Sequence, residues 1–113
     1  MSGSGWYGFD LDGTLAFYDH WRGEDHIGPP IKRILHRVLD LLNAGKEVRI
    51  VTARVAHDPE GRARQAIEAW CVEHLGRVVP ITNSKDYGMI ELWDDRCVQV
   101  VPNTGERVDG QED

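Results

Sequence analysis

The chain has 113 residues, enough for one domain around one hydrophobic core. Apolar residues make up 41% and charged residues 28%, a balance that excludes a collagen-like, wholly disordered or disulfide-stapled protein. Thirteen basic against 19 acidic residues give a formal charge of −6, which disfavours broad electrostatic capture of nucleic acid.

In chain order, residues 1–5 read as a flexible Gly/Ser start without a signal-peptide pattern. No apolar run reaches the ~20 residues that a membrane span requires. Cys71 and Cys97 are too few and too scattered for a disulfide framework and read as reduced thiols. Together these features predict a cytoplasmic protein with no membrane partner. Trp6-Tyr7-Gly8-Phe9 reads as a buried first strand. The stretch from Tyr18 to Gly28 is polar and reads as a loop beside whatever site the chain carries. Its His20 and His26 fit no common metal-ligand spacing and read as solvated, and Trp21 reads as packing under the loop, with stacking on a ring as the alternative.

After Pro29-Pro30, the residues Ile31, Ile34, Leu35, Val38, Leu41 and Leu42 recur at helical spacing, and Gly45 follows as a stop. Glu47 to Val51 is rich in β-branched residues and predicts a second strand. Ala63, Ala66, Ile67, Trp70, Cys71 and Leu75 predict a second helix that stops at Gly76. Val78 to Ile81 predicts a third strand, at a sheet edge because of Pro80. Met89 to Trp93 and Val98 to Val101 predict a fourth and a fifth, and Trp70 and Trp93 read as core. Residues 103–113 are polar and read as a loose tail, leaving a single domain over 6–102. Strands alternating with helices predict an α/β fold with a mainly parallel central sheet, drawn as a three-layer sandwich.

The candidate chemistry starts in Phe9-Asp10-Leu11-Asp12-Gly13-Thr14-Leu15. Asp10 and Asp12 follow the first strand directly, and a spacing of two points both carboxylates to one side of an extended chain. Open α/β sheets bind ligands beyond the carboxyl ends of their strands. Asp-Gly alone is an ordinary turn, but the whole string, Asp-x-Asp-Gly-Thr-Leu after an apolar strand, resembles the first motif of the haloacid dehalogenase superfamily. Three further segments match that resemblance in order. Val48-Arg49-Ile50-Val51-Thr52 ends an apolar strand in Thr, Lys85 is a candidate third-motif lysine, and Asp94-Asp95 follow the fourth strand. Lys85 stands only nine residues before Asp94, closer than in many members.

The resemblance implies a Rossmann-like, capless core, because neither the stretch from Asp12 to Thr52 nor that from Thr52 to Lys85 has room for a cap domain. It implies Asp10 as nucleophile, Asp12 as general acid and base, and Thr52 and Lys85 as phosphate-orienting groups. It implies Mg²⁺ held by Asp10, Asp12 through its carbonyl, and Asp95, with Asp94 behind them orienting Lys85. Arg54 and the Gly13 turn are the candidate substrate-binding elements, His57 is a second reach toward substrate, and Arg96 reads as an anchor of the acid turn. The implied activity is a Mg²⁺-dependent phosphomonoesterase working through an aspartyl-phosphate. Its partner would be a small phosphorylated molecule or an exposed macromolecular phosphate. A nucleic-acid 3′-phosphatase is the narrower version, a catalytically silent binding module is the alternative, and a second subunit could supply a lid. A receiver-type signalling domain is disfavoured, because its phosphate-accepting Asp comes after the third strand.

Overall fold

The computed structural model describes residues 5–111. The expected flexible start therefore lies outside the described residues except for Gly5. Four parallel strands, β1 (Trp6–Asp10), β2 (Glu47–Val51), β3 (Ile81–Thr82) and β4 (Met89–Trp93), form one sheet in the order β3-β2-β1-β4. Helix α1 (Lys32–Asn43) joins β1 to β2, and helix α2 (Arg62–Leu75) joins β2 to β3. The α/β class, the parallel sheet and both helices are as the periodicity predicts.

The core lies on one face of the sheet. Val38 and Leu41 of α1 and Ile67, Trp70, Cys71 and Leu75 of α2 pack with Phe9, Val48, Ile50 and Ile81 in a single cluster. Both helices thus serve the same face, as right-handed crossovers running in one direction require. Asp58 starts α2, its two carboxylate oxygens accepting from the N–H groups of Ala63 and Arg64 at 3.1 and 3.0 Å.

The opposite face carries no helix among the described residues, so the third layer of the predicted sandwich is not seen. Only residues 83–88 connect β3 to β4, too few for a helix. Trp6 closes this face instead. Its ring lies over Gly8, where a side chain would meet Trp6, Val51 and Leu92 at 2.9–3.3 Å. Trp6 Nε1 donates to Asp86 at 2.8 Å, and the Arg49 guanidinium stacks 4.4 Å from the ring.

Two strand expectations shift. The third strand falls at Ile81–Thr82 rather than Val78–Ile81; Pro80 has no N–H to give, and its carbonyl accepts from Ile50 N at 2.9 Å just before the strand begins. It does lie at an edge, as Pro80 requires. The predicted fifth strand does not join the sheet. Asp94 to Cys97 is far shorter than the dozen residues that a parallel crossover takes. Val98 to Val101 instead meets the following segment antiparallel: Val100 bridges Arg107, Val101 N donates to Glu106 O, and Val108 N donates to Gln99 O. The polar stretch expected to be loose folds back as the other arm of this hairpin as far as Val108.

Candidate active site

β1 is central, flanked by β2 and β4, so the chain positions following these three strands share one rim of the sheet. Asp10 ends β1, Thr52 follows β2, and Asp94 and Asp95 follow β4. Carboxylate oxygens of Asp10, Asp94 and Asp95 lie within 4.8 Å of one another. Asp10 is pushed up to about 7 from the ordinary 3.8, first by burial and then by the negative charge of Asp94, a hydrogen bond with Asp95, and the charges of Asp95 and Asp12.

The turn after β1 brings Asp95 in. Leu15 N and Ala16 N donate back to Leu11 O, and Gly13 N donates to Ala16 O at 2.8 Å. Gly13 sits at φ 92°, and a Cβ there would stand 2.5 Å from Asp95 Oδ2. Only glycine admits both the backbone angle and the acid's approach. Thr14 Oγ1 reaches Asp10 Oδ2 at 3.4 Å, a long contact that pins the turn to the carboxylate.

Thr52 is buried, and its Oγ1 accepts from Arg54 N at 3.1 Å, so it caps the short 3-10 turn Ala53–Val55. Its own O–H has no protein acceptor among the described residues and faces an open cleft of about 520 Å³. That cleft is lined by Asp10, Asp12, Thr52, Arg54 and Asp95, with Tyr18, Trp21 and Arg96 on its rim.

Arg54 is not a free fork. Its Nε and Nη2 donate to the two oxygens of Asp12 at 2.8 and 2.9 Å. Its Nη1 and Nη2 donate to the carbonyls of Glu24 and His26 at 3.2 and 2.9 Å, and its guanidinium lies 4.9 Å from the Trp21 ring. Arg54 therefore joins Asp12 to the loop from Phe17 to Pro29. That loop is also closed at its base: Phe17 N donates to Pro29 O and Ile31 N to Leu15 O, both at 2.8 Å, and Trp70 Nε1 donates to Gly28 O at 2.9 Å.

Lys85 is exposed, does not line the cleft, and makes no ion pair with Asp94 within 4.0 Å among the described residues. The reason is geometric. From Thr82 at the carboxyl rim, the chain must reach Gly88, whose carbonyl accepts from Trp6 N at the opposite rim, so Lys85 travels away from the acids. Arg96 also lines the cleft; its side chain has no ion pair among the described residues, while its N–H donates to Asp94 Oδ1 at 2.8 Å. By sequence, Arg96 reads only as an anchor of the acid turn, and Tyr18 has no assigned role. A signal existed for both: a cation directly after the acid pair and an aromatic at the start of the loop. His57 lines a neighbouring cleft with Trp21 and Asp58, and His20 stands beside Asp19 and does not line the acid cleft. Comparison with known proteins returns no matching family model, no matching curated protein and no matching solved structure.

Proposed function

We propose that the chain is a Mg²⁺-dependent phosphomonoesterase acting through an aspartyl-phosphate, built on a reduced, capless core of the haloacid dehalogenase type. In that reading, residues 83–88 stand where such a three-layer core would carry its second helical layer. The observation that carries the reading is the convergence of Asp10, Asp94 and Asp95 on one rim, with Asp12 and Thr52 in the same cleft. The three carboxylates are hard oxygen donors of the kind that Mg²⁺ takes, and burial, followed by the neighbouring negative charges, raises Asp10, a crowding that a cation would relieve. Asp10, Asp95 and Asp94 would hold the ion, which, when bound, offsets the charge between the Asp10 carboxylate and a phosphate dianion.

The chain's own groups then have distinct tasks. An Asp10 carboxylate oxygen attacks phosphorus in line, and the ester P–O bond breaks. Asp12 gives its proton to the departing oxygen and recovers one from the water that cleaves the acyl phosphate, which returns free Asp10 and inorganic phosphate. The Arg54 fork orients the Asp12 carboxyl group, with Nε and Nη2 held against its two oxygens. The Thr52 hydroxyl and the Arg96 guanidinium supply donors for the phosphoryl oxygens.

The test is phosphate release from p-nitrophenyl phosphate with and without Mg²⁺, beside Asp10→Asn. Release should need the metal and fall at least about 10³-fold in the variant, the loss of a nucleophile. Full activity in Asp10→Asn would sink the reading.

A further inference from the structure

Trp21 presents a half-exposed apolar ring on the cleft that holds Asp10, Asp12 and Asp95. Trp21 is 54% exposed, yet it is not a wandering side chain. One side of its ring lies over the Arg54 guanidinium, which is itself fixed by Asp12 and by two carbonyls of the same loop. The loop is closed at its base by backbone hydrogen bonds. Tyr18, also exposed, lines the same cleft. The result is a pre-ordered aromatic platform on the rim of the acid site, the arrangement that binds flat rings with little ordering cost.

We infer that Trp21, with Tyr18 beside it, stacks the base of a single nucleoside monophosphate whose phosphate meets Asp10. The inference rests on the phosphatase reading of that site. The spacing suits such a leaving group. The chain of contacts through Arg54 places the Trp21 ring centroid within about 9 Å of the Asp12 carboxylate. Asp12 protonates the leaving oxygen, so the leaving group starts there and extends toward Trp21. In an aryl phosphate the ring is bonded to the ester oxygen and stays beside Asp12. In a nucleoside monophosphate one sugar separates them, and the base reaches the platform. Charge decides between a nucleotide and a strand. Asp58 and Glu60 line the neighbouring cleft with Trp21, and the chain carries −6, so a polyanion running past the ring meets repulsion.

The test reads binding separately from turnover. Asp10→Asn protein is titrated by calorimetry, with Mg²⁺ present, against adenosine 5′-monophosphate and against ribose 5-phosphate. The nucleotide should bind about 5- to 150-fold tighter, the range that stacking of one base supplies. Adding Trp21→Ala should bring the two Kd values together, and Trp21→Phe should keep most of the gap. Equal affinities, no binding of either compound, or a gap that survives Trp21→Ala overturns the inference. A 3′-phosphorylated oligonucleotide binding tighter than the mononucleotide overturns the choice of a single nucleotide. Turnover by the unaltered protein separates the two readings. Equal kcat/KM for both compounds removes the platform and leaves the phosphatase. No release, with base-dependent binding intact, removes the phosphatase and leaves the platform.

Discussion

At Gly13 one missing side chain decides whether the acid site can assemble. The residue lies in the left-handed region, and any Cβ would stand against the Asp95 carboxylate. Gly13→Ala should therefore cost about 1–3 kcal/mol in backbone strain and push Asp95 away from Asp10. Urea denaturation reads the first effect, and a weaker Mg²⁺ affinity by calorimetry reads the second. An unchanged affinity would mean that Asp95 is not held by this turn. Arg54 teaches the complementary lesson. As a sequence symbol it is a fork suited to phosphate, but its partners in space are Asp12 and two loop carbonyls. Among the described residues, the cleft-lining cation without an ion pair is Arg96. Nothing in residue type separates these two arginines; only their neighbours do.

At the scale of elements, the sheet has one face under helices and one face closed by a single ring. Trp6 is 1% exposed, its ring crowds Gly8 in the same spot that Val51 and Leu92 approach from the flanking strands, and Arg49 of β2 stacks on it. Trp6→Ala should destabilise the fold by about 3–5 kcal/mol, a large-to-small change in a site where no helix can settle inward. Its Cm in urea should fall with the m-value unchanged. A loss under about 1 kcal/mol would mean that the 83–88 segment, not Trp6, seals that face. The elements themselves were largely legible in the sequence. β2 and β4 are found at the residues that their β-branched and apolar runs predict, and α1 and α2 follow the helical spacing to within a residue. The fifth strand was not legible, because Val98 to Val101 is a good strand by composition whichever sheet or hairpin it joins. The decisive quantity was the length of the connection before it.

For the molecule as a whole, the crowded acids set a pH dependence. With divalent cations chelated, Asp10 titrates near 7 in the folded chain against 3.8 in the unfolded one. Between those values the folded state holds more protons, so stability falls as pH rises. Asp19, Asp86 and Asp109, whose carboxyls are held below the ordinary value by arginine or by hydrogen bonds from Trp6 and Gly88, act in the opposite sense only at pH below about 4. The chelated protein should therefore show a higher Tm at pH 5 than at pH 8, Asp10→Asn should flatten that difference, and Mg²⁺ should raise the Tm at pH 8. Calorimetric melts across this range check all three. A Tm that rises from pH 5 to pH 8 in the chelated protein would contradict the crowding.

By itself the sequence determined the α/β class, the strands that carry Asp10, Thr52 and the Asp94-Asp95 pair, and the absence of a span or disulfide framework in its composition. These follow from periodicity and from residues placed directly after apolar strands, which are local properties. The tertiary structure decided the rest: the strand order that puts β1 between β2 and β4, the descent that carries Lys85 away from the acids, the capture of Arg54 by Asp12, and the exposed ring of Trp21 on the rim. Each of these depends on which distant segments become neighbours, and a one-dimensional pattern of residue types does not encode a pairwise distance.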